Sequence, residues 1–184
     1  MRVLVLGNGA GHDVQYIESP DDNPRRKLLK AEYKVLLSSR IAERKVDFIG
    51  EEAKAGTRTI AQLLGHRTEN IDMPDAEREA QGIAEEQRNR PCVPHYVGND
   101  AKTELTAQGY QRNVGNGWVQ LEARIDSDKI REQYMFERVT QEIHDAQSVI
   151  VICGIIHSVQ LAAIFRRDSD NDVEVELWEP MANR

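Results

Sequence analysis

The chain has 184 residues, a net charge of −7 and a sequence pI near 5.3. This acidic balance argues against a general binder of nucleic acid or of membrane surfaces. No apolar run approaches the ~18 residues needed to span a bilayer, and the N-terminus lacks the features of a secretory signal, so we expect a cytoplasmic protein. The length favours one domain over residues 1–184.

The predicted elements alternate between strands and helices. The first half predicts a strand over 2–6, a polar loop over 13–25, a helix over 26–44, a strand over 45–49, a short helix capped by Thr57, a short strand over 69–72 and a helix opened by Pro74. The last third predicts a helix over 126–145 with Ile130 facing the core, a strand over 148–153, a helix over 158–166 and an edge strand over 173–178. Such alternation is typical of an α/β fold with a mainly parallel sheet flanked by helices.

The segment over 84–122 interrupts this pattern with prolines, glycines and charges and has no sustained period. We interpret it as an irregular insertion or lid. It contains Tyr96, Tyr110 and Trp118 in a chain that is otherwise poor in aromatic residues. Contact with a ligand, with the cleft or with a second subunit would explain these rings.

A Gly-x-x-His motif occurs twice, each time after an apolar run that reads as a buried strand. Gly9 and His12 follow the first strand, whereas Gly154 and His157 follow the strand over 148–153. In open α/β sheets the functional crevice lies beyond the carboxyl ends of the strands. The two histidines are therefore expected at one edge of the sheet, as candidate catalytic residues.

Acidic and basic residues are predicted at the same edge. Glu51 and Glu52 end the second strand, and Arg131 lies near the start of the helix that precedes the second histidine. Histidine can act as a general base or a metal ligand near neutral pH, and arginine can stabilise developing negative charge. We therefore assign Glu51, Glu52 and Arg131 to the candidate site, with either glutamate as its functional acid.

Glycines in these turns are candidate ligand-binding positions, because a backbone without Cβ lets a ligand approach closely. They are Gly9, Gly11 and Gly154. A structural interpretation of the same residues stands beside this one. The Asn8–Gly9 pair could form a simple turn, and His157 could cap a helix or satisfy a hydrogen bond in the core.

Other motifs of catalysis and cofactor binding are missing from the sequence. The glycines after the first strand do not have the Gly-x-Gly-x-x-Gly spacing of dinucleotide-binding folds. The chain also lacks a Walker-type phosphate loop, a Gly-x-Ser-x-Gly elbow and a His-Glu-x-x-His motif. These absences argue against the corresponding nucleotide, serine-hydrolase and zinc-protease mechanisms.

The order of these motif residues along the chain resembles the motif order of the TraB/TIKI clan, which also includes the erythromycin-esterase and ChaN-like families. The matching positions are Gly9 and His12, then Glu51 or Glu52, then Arg131, then Gly154 and His157. The resemblance covers about half of the chain and implies an α/β fold with these residues in one cleft. It implies divalent-metal-dependent peptide hydrolysis in the TIKI branch, water activation by histidine and glutamate in the esterase branch, and haem binding in the ChaN-like branch.

Two hypotheses follow. The first is a small cytosolic hydrolase whose water is activated by paired histidines and a glutamate, with or without a divalent metal (Mn, Co or Zn) held by His12, His157 and Glu51. The second is a non-catalytic binding or sensor protein for a small molecule or haem on the same scaffold. The expected partner is a small-molecule or peptide substrate, with no nucleic acid and no membrane, and a homo-oligomer is compatible with the sequence.

Overall fold

A parallel sheet of five strands forms the centre of the computed structural model. The structure describes residues 1–9, 12–18, 23–83, 95–98, 111–114, 117–120, 126–168 and 171–178. The strands are β1 (Arg2–Asn8), β2 (Phe48–Glu51), β3 (Thr68–Asn70), β4 (His95–Gly98), β5 (Gln111–Val114), β6 (Gly117–Gln120), β7 (Ser148–Gly154) and β8 (Asp172–Trp178). The main sheet has the order β3-β2-β7-β1-β8, and every pairing in it is parallel. The predicted α/β class is confirmed.

The described helices lie, in chain order, between strands of the main sheet. They are a 3-10 helix (His12–Gln15), α1 (Pro24–Arg44), α2 (Ile60–Leu63), α3 (Asp75–Ala80), α4 (Asp126–Glu142) and α5 (Ile155–Asp168). Within the predicted insertion over 84–122, β4, β6 and β5 form a small antiparallel sheet. The side chains of Tyr96, Tyr110 and Trp118 lie outside what the structure describes, so their proposed contacts stay a prediction. None of the described helices is long and apolar enough to cross a membrane.

Helix α1 begins and ends where local chemistry favours it. The Asn23 side chain accepts a hydrogen bond from the backbone N–H of Arg26, and Pro24 stands at the first helical position. Lys45 closes the helix in the left-handed conformation, with φ of 51°. The second strand was predicted to begin at residue 45, but because Lys45 caps the helix, β2 begins only at Phe48.

Two other predicted boundaries were wrong. Thr59, rather than Thr57, caps α2, because the Thr59 hydroxyl and the Gln62 side chain form a reciprocal capping box. The last helix was predicted from residue 158, but α5 begins directly at Ile155. His157 therefore lies in the first turn of a helix and not in the preceding loop.

The helices cover both faces of the sheet and form two apolar cores. On one face, here called the α1 face, α1 packs on alternate residues of β1, including Leu4 and Leu6. On the other, the α4–α5 face, both helices pack on the intervening residues Val3 and Val5. The prediction that Ile130 faces the core was wrong, since its side chain is exposed. Strand β8 lies at an edge of the sheet, as predicted.

Candidate functional site

The candidate site lies at the carboxyl ends of β1 and β7. The two strands are neighbours, and Asn8 pairs with Gly154 at their carboxyl ends. After β1 the chain continues to α1 on one face, whereas after β7 it continues to α5 on the other face. Neighbouring strands whose connections diverge in this way form the switch point at which α/β sheets bind ligands. Both Gly-x-x-His motifs begin at this point.

Glu51 and Glu52 separate at the end of β2. Successive side chains of a strand point to opposite faces, so Glu51 faces α1 and Glu52 faces α4 and α5. Both are buried, with exposed fractions of 1% and 3%. Their contacts agree with this placement, since Glu52 binds Arg131 of α4 whereas Glu51 acts electrostatically on Tyr33 of α1. The two candidate acids therefore belong to different environments.

Glu52 is the centre of the polar cluster on the α4–α5 face. Its Oε1 accepts a hydrogen bond from Nη2 of Arg131 at 2.6 Å, and its Oε2 accepts one from the backbone N–H of Gly154 at 2.7 Å. The same Oε1 lies 3.8 Å from Nε2 of His157. One carboxylate thus joins three residues that the sequence placed in the candidate site.

Arg131 is held in place by a second carboxylate. Its Nη2 also donates to Asp72 at 3.0 Å, and Asp72 in turn accepts a hydrogen bond from Arg78. Burial disfavours the charged guanidinium, but Glu52 and Asp72 outweigh this effect and raise the pKa of Arg131 above its ordinary value. The Nε of Arg131 is buried, and no acceptor for it is found among the described residues. This N–H is therefore a donor that the cluster leaves unused.

His157 is fixed by a buried acid that the sequence did not single out. Its Nδ1 lies 3.1 Å from Oε1 of Glu132, which is fully buried, and His157 itself is only 3% exposed. Nδ1 therefore has a carboxylate within hydrogen-bonding distance, whereas Oε1 of Glu52 lies 3.8 Å from Nε2, beyond that distance. Nε2 is thus directed to the side of Glu52 and Arg131.

Two residues of this cluster escaped the sequence analysis, although each had a readable signal. Glu132 lies on the same helical stripe as the buried residues Met135 and Val139. A glutamate is rarely buried without a partner, so its place on an apolar stripe indicates a buried polar contact. Asp72 closely follows β3, at the same edge of the sheet as Glu52. The rule that strand ends meet at one edge applies to it as well.

The remaining predicted residues lie elsewhere or cannot be placed fully. The backbone of His12 opens the 3-10 helix, but its side chain lies outside what the structure describes, as does all of Gly11. The backbone N–H of Gly9 donates to the carbonyl of Trp178 at 3.0 Å. The backbone N–H of Gly154 donates a hydrogen bond to Glu52, so this glycine positions the Glu52 carboxylate.

The metal set of His12, His157 and Glu51 is not brought together by the described residues. Glu51 and His157 lie against opposite faces of the sheet, and Glu52 is already bound by a guanidinium and a backbone N–H. Within the part of the chain that the structure describes, no group of three or more His, Cys, Asp or Glu side chains could hold a metal ion. The described residues therefore do not bring a complete metal set together, the predicted metal site stays a prediction because the His12 side chain lies outside them, and we derive no step through a metal.

On the α1 face, Glu51 is buried and has no hydrogen-bond partner among the described residues. Burial raises its pKa to about 7, against a smaller opposing effect of the Thr59 hydroxyl. No described group lies in hydrogen-bonding geometry with either carboxylate oxygen. Tyr33 is fully buried beside it, and burial and the Glu51 charge raise the pKa of the phenol well above its ordinary value.

Comparison with protein-family models, with curated proteins and with solved structures gives no match. The resemblance to the TraB/TIKI clan therefore depends on the motif residues alone and stays a prediction. What can be argued about function comes from the two polar clusters themselves.

Proposed function

We propose that the protein is a small hydrolase in which His157 activates a water molecule for attack on an ester or amide carbonyl. The observation that carries this proposal is the pairing of His157 Nδ1 with Glu132, with Nε2 directed to the Glu52 oxygen that also binds Arg131. We assign the proton to Nδ1, so that Nε2 can act as the base. A buried acid that orients an imidazole is the usual arrangement of a histidine general base.

In the proposed reaction, Nε2 of His157 takes a proton from water while the water oxygen forms a bond to the carbonyl carbon. The resulting imidazolium is stabilised by two carboxylates, since Glu132 lies beside Nδ1 and Glu52 lies on the side of Nε2. The imidazolium then returns the proton to the leaving alcohol or amine as the carbon–heteroatom bond breaks. No group other than substrate and water is consumed.

Arg131 is the proposed stabiliser of the oxyanion that forms on the carbonyl oxygen. Glu52 and Asp72 hold its Nη2, so the guanidinium cannot turn freely, and its buried Nε–H stays available. A donor that is already oriented before the reaction contributes more than one that must reorganise. Glu52 and Asp72 are positioning residues in this scheme.

The alternative of a non-catalytic binding or sensor protein for a small molecule or haem is kept, because the α1 face holds buried polar groups that have no hydrogen-bond partner among the described residues. Metal analysis and an absorbance scan of the purified protein address it directly. A Soret band would favour a haem protein, whereas bound Mn, Co or Zn would favour the metal-dependent form of the hydrolase.

The hydrolase proposal is tested with a panel of p-nitrophenyl esters, lactones and fluorogenic peptide amides. We expect hydrolysis of at least one member, and a decrease in kcat of about 100-fold or more in His157→Gln. His144→Gln is the matched control, since His144 is exposed and lies outside the cluster. Equal rates in wild type and His157→Gln, or no hydrolysis across the panel, would contradict the proposal.

A further inference from the structure

Three buried polar side chains on the α1 face lack hydrogen-bond partners among the described residues. They are Gln15 of the 3-10 helix, Tyr33 of α1 and Glu51 of β2. Among the described residues, no partner is found for the amide nitrogen and oxygen of Gln15, the hydroxyl of Tyr33 or either carboxylate oxygen of Glu51. All three are 0–1% exposed. Buried polar groups are nearly always hydrogen-bonded, so three orphans from three separate elements point to a missing partner.

The elements that carry these groups pack together, since the 3-10 helix lies against α1, and the three side chains are here called the Glu51 cluster. Tyr16, which follows Gln15, forms an isolated β-bridge with Thr59, whose hydroxyl acts on the Glu51 carboxylate. Glu51 also acts electrostatically on the phenols of Tyr16 and Tyr33. The 3-10 helix, α1 and the end of β2 therefore converge around one acid.

The charge of this cluster is unbalanced. No described cation forms an ion pair with Glu51, and the acid on the neighbouring position, Glu52, is directed to the other face. Lys30, the buried cation of α1, donates to the carbonyl of Ile17 at 3.5 Å. Burying a charged carboxylate without a cation is costly. A bound cationic ligand would offset this cost and stabilise the charged form of Glu51.

We propose that the Glu51 cluster binds the ammonium group of a small organic amine. An ammonium has three N–H donors, and we assign Glu51, the Gln15 carbonyl and the Tyr33 hydroxyl as their acceptors. The ring of Trp178 lies 5.2 Å from that of Tyr33, so its fluorescence reports on one member of the cluster. The net charge of −7 favours the approach of cations rather than anions.

Methylammonium chloride is the probe, and the fluorescence of Trp178 is the signal, measured in a Trp118→Phe background. At pH 8 we expect a saturable change that equal concentrations of potassium chloride and of acetamide do not produce. Because protons compete for Glu51, whose pKa is about 7, the affinity should be about 100-fold weaker at pH 5.

Glu51→Gln should abolish the saturable change, whereas Glu69→Gln, an exposed acid on β3, should leave it unaltered. If Glu51→Gln does not fold, Tyr33→Phe serves instead, and its loss of one acceptor should weaken binding about 3- to 10-fold. No saturable change, an equal change with potassium, or an unaltered change in both variants would overturn the proposal and leave ordered water as the partner of these groups. The result is independent of any hydrolytic activity.

Discussion

At the level of single residues, two adjacent glutamates at the end of β2 have opposite surroundings. Glu52 accepts hydrogen bonds from Arg131 and from Gly154, whereas Glu51 has no described partner. The sequence predicted both acids at the end of a strand, and strand alternation predicts that they face opposite sides. Which of them would meet a cation depends on α4, which lies far along the chain, so the sequence alone left this open.

Glu51 makes stability depend on pH. Its pKa is about 7 in the folded protein and near 4.5 when unperturbed, so between these values the folded state binds more protons than the unfolded state. The free energy of unfolding should therefore decrease as pH rises from 4.5 to 7, by about 3 kcal/mol in all. Urea unfolding of wild type and Glu51→Gln at pH 5 and pH 8 measures this. An equal pH dependence in the two proteins would contradict the assignment.

Arg131 should contribute to folding as well as to chemistry. Arg131→Met leaves Glu52 and Asp72 without their shared cation in a buried site, so we expect a loss of about 3–5 kcal/mol in the free energy of unfolding. Arg138→Met is the control on the same helix, because its contact with Glu142 is at 3.9 Å and partly exposed. Its expected cost is below about 0.5 kcal/mol. Similar losses in the two variants would contradict a buried network.

At the scale of the element, the start of α5 decides where His157 lies. Gly154 and the two β-branched residues after it read as the end of a strand, so the sequence predicted that the helix began later. The helix nevertheless begins at Ile155, and its residues from Leu161 onward pack in the core of the α4–α5 face. Local propensity did not contain this information, because the contacts that decide the boundary come from other parts of the chain.

The close packing of β2 against α4 depends on Gly50. A Cβ at this position would lie 2.9 Å from Cγ2 of Val139 and 3.0 Å from Cγ2 of Ile71. Gly50→Ala should therefore separate the strand from the helix and destabilise the fold by about 1–3 kcal/mol. Thermal unfolding measures this cost. An unchanged Tm would mean that α4 does not pack on β2 as closely as the structure places it.

At the scale of the whole molecule, the strand order brings the candidate site together. The alternation of strands and helices predicts a parallel sheet, but it does not predict that β7 inserts between β1 and β2. That insertion pairs Asn8, which precedes the first Gly-x-x-His motif, with Gly154 of the second, and it places Glu52 beside Gly154. Strand order depends on long-range pairing, which the residue pattern of a single sequence does not specify.

The proposed role of His157 requires a bare Nε2 that can accept a proton while Glu132 holds the Nδ1–H. Nitrogen-15 NMR of the histidine side chains measures this without any substrate, and His157→Gln identifies the signal. At pH 8 we expect a proton on Nδ1 and a bare Nε2, and Glu132→Gln should disturb this tautomer. A proton on Nε2, or protons on both nitrogens at this pH, would make His157 a structural donor between Glu52 and Glu132 and would contradict its role as a base.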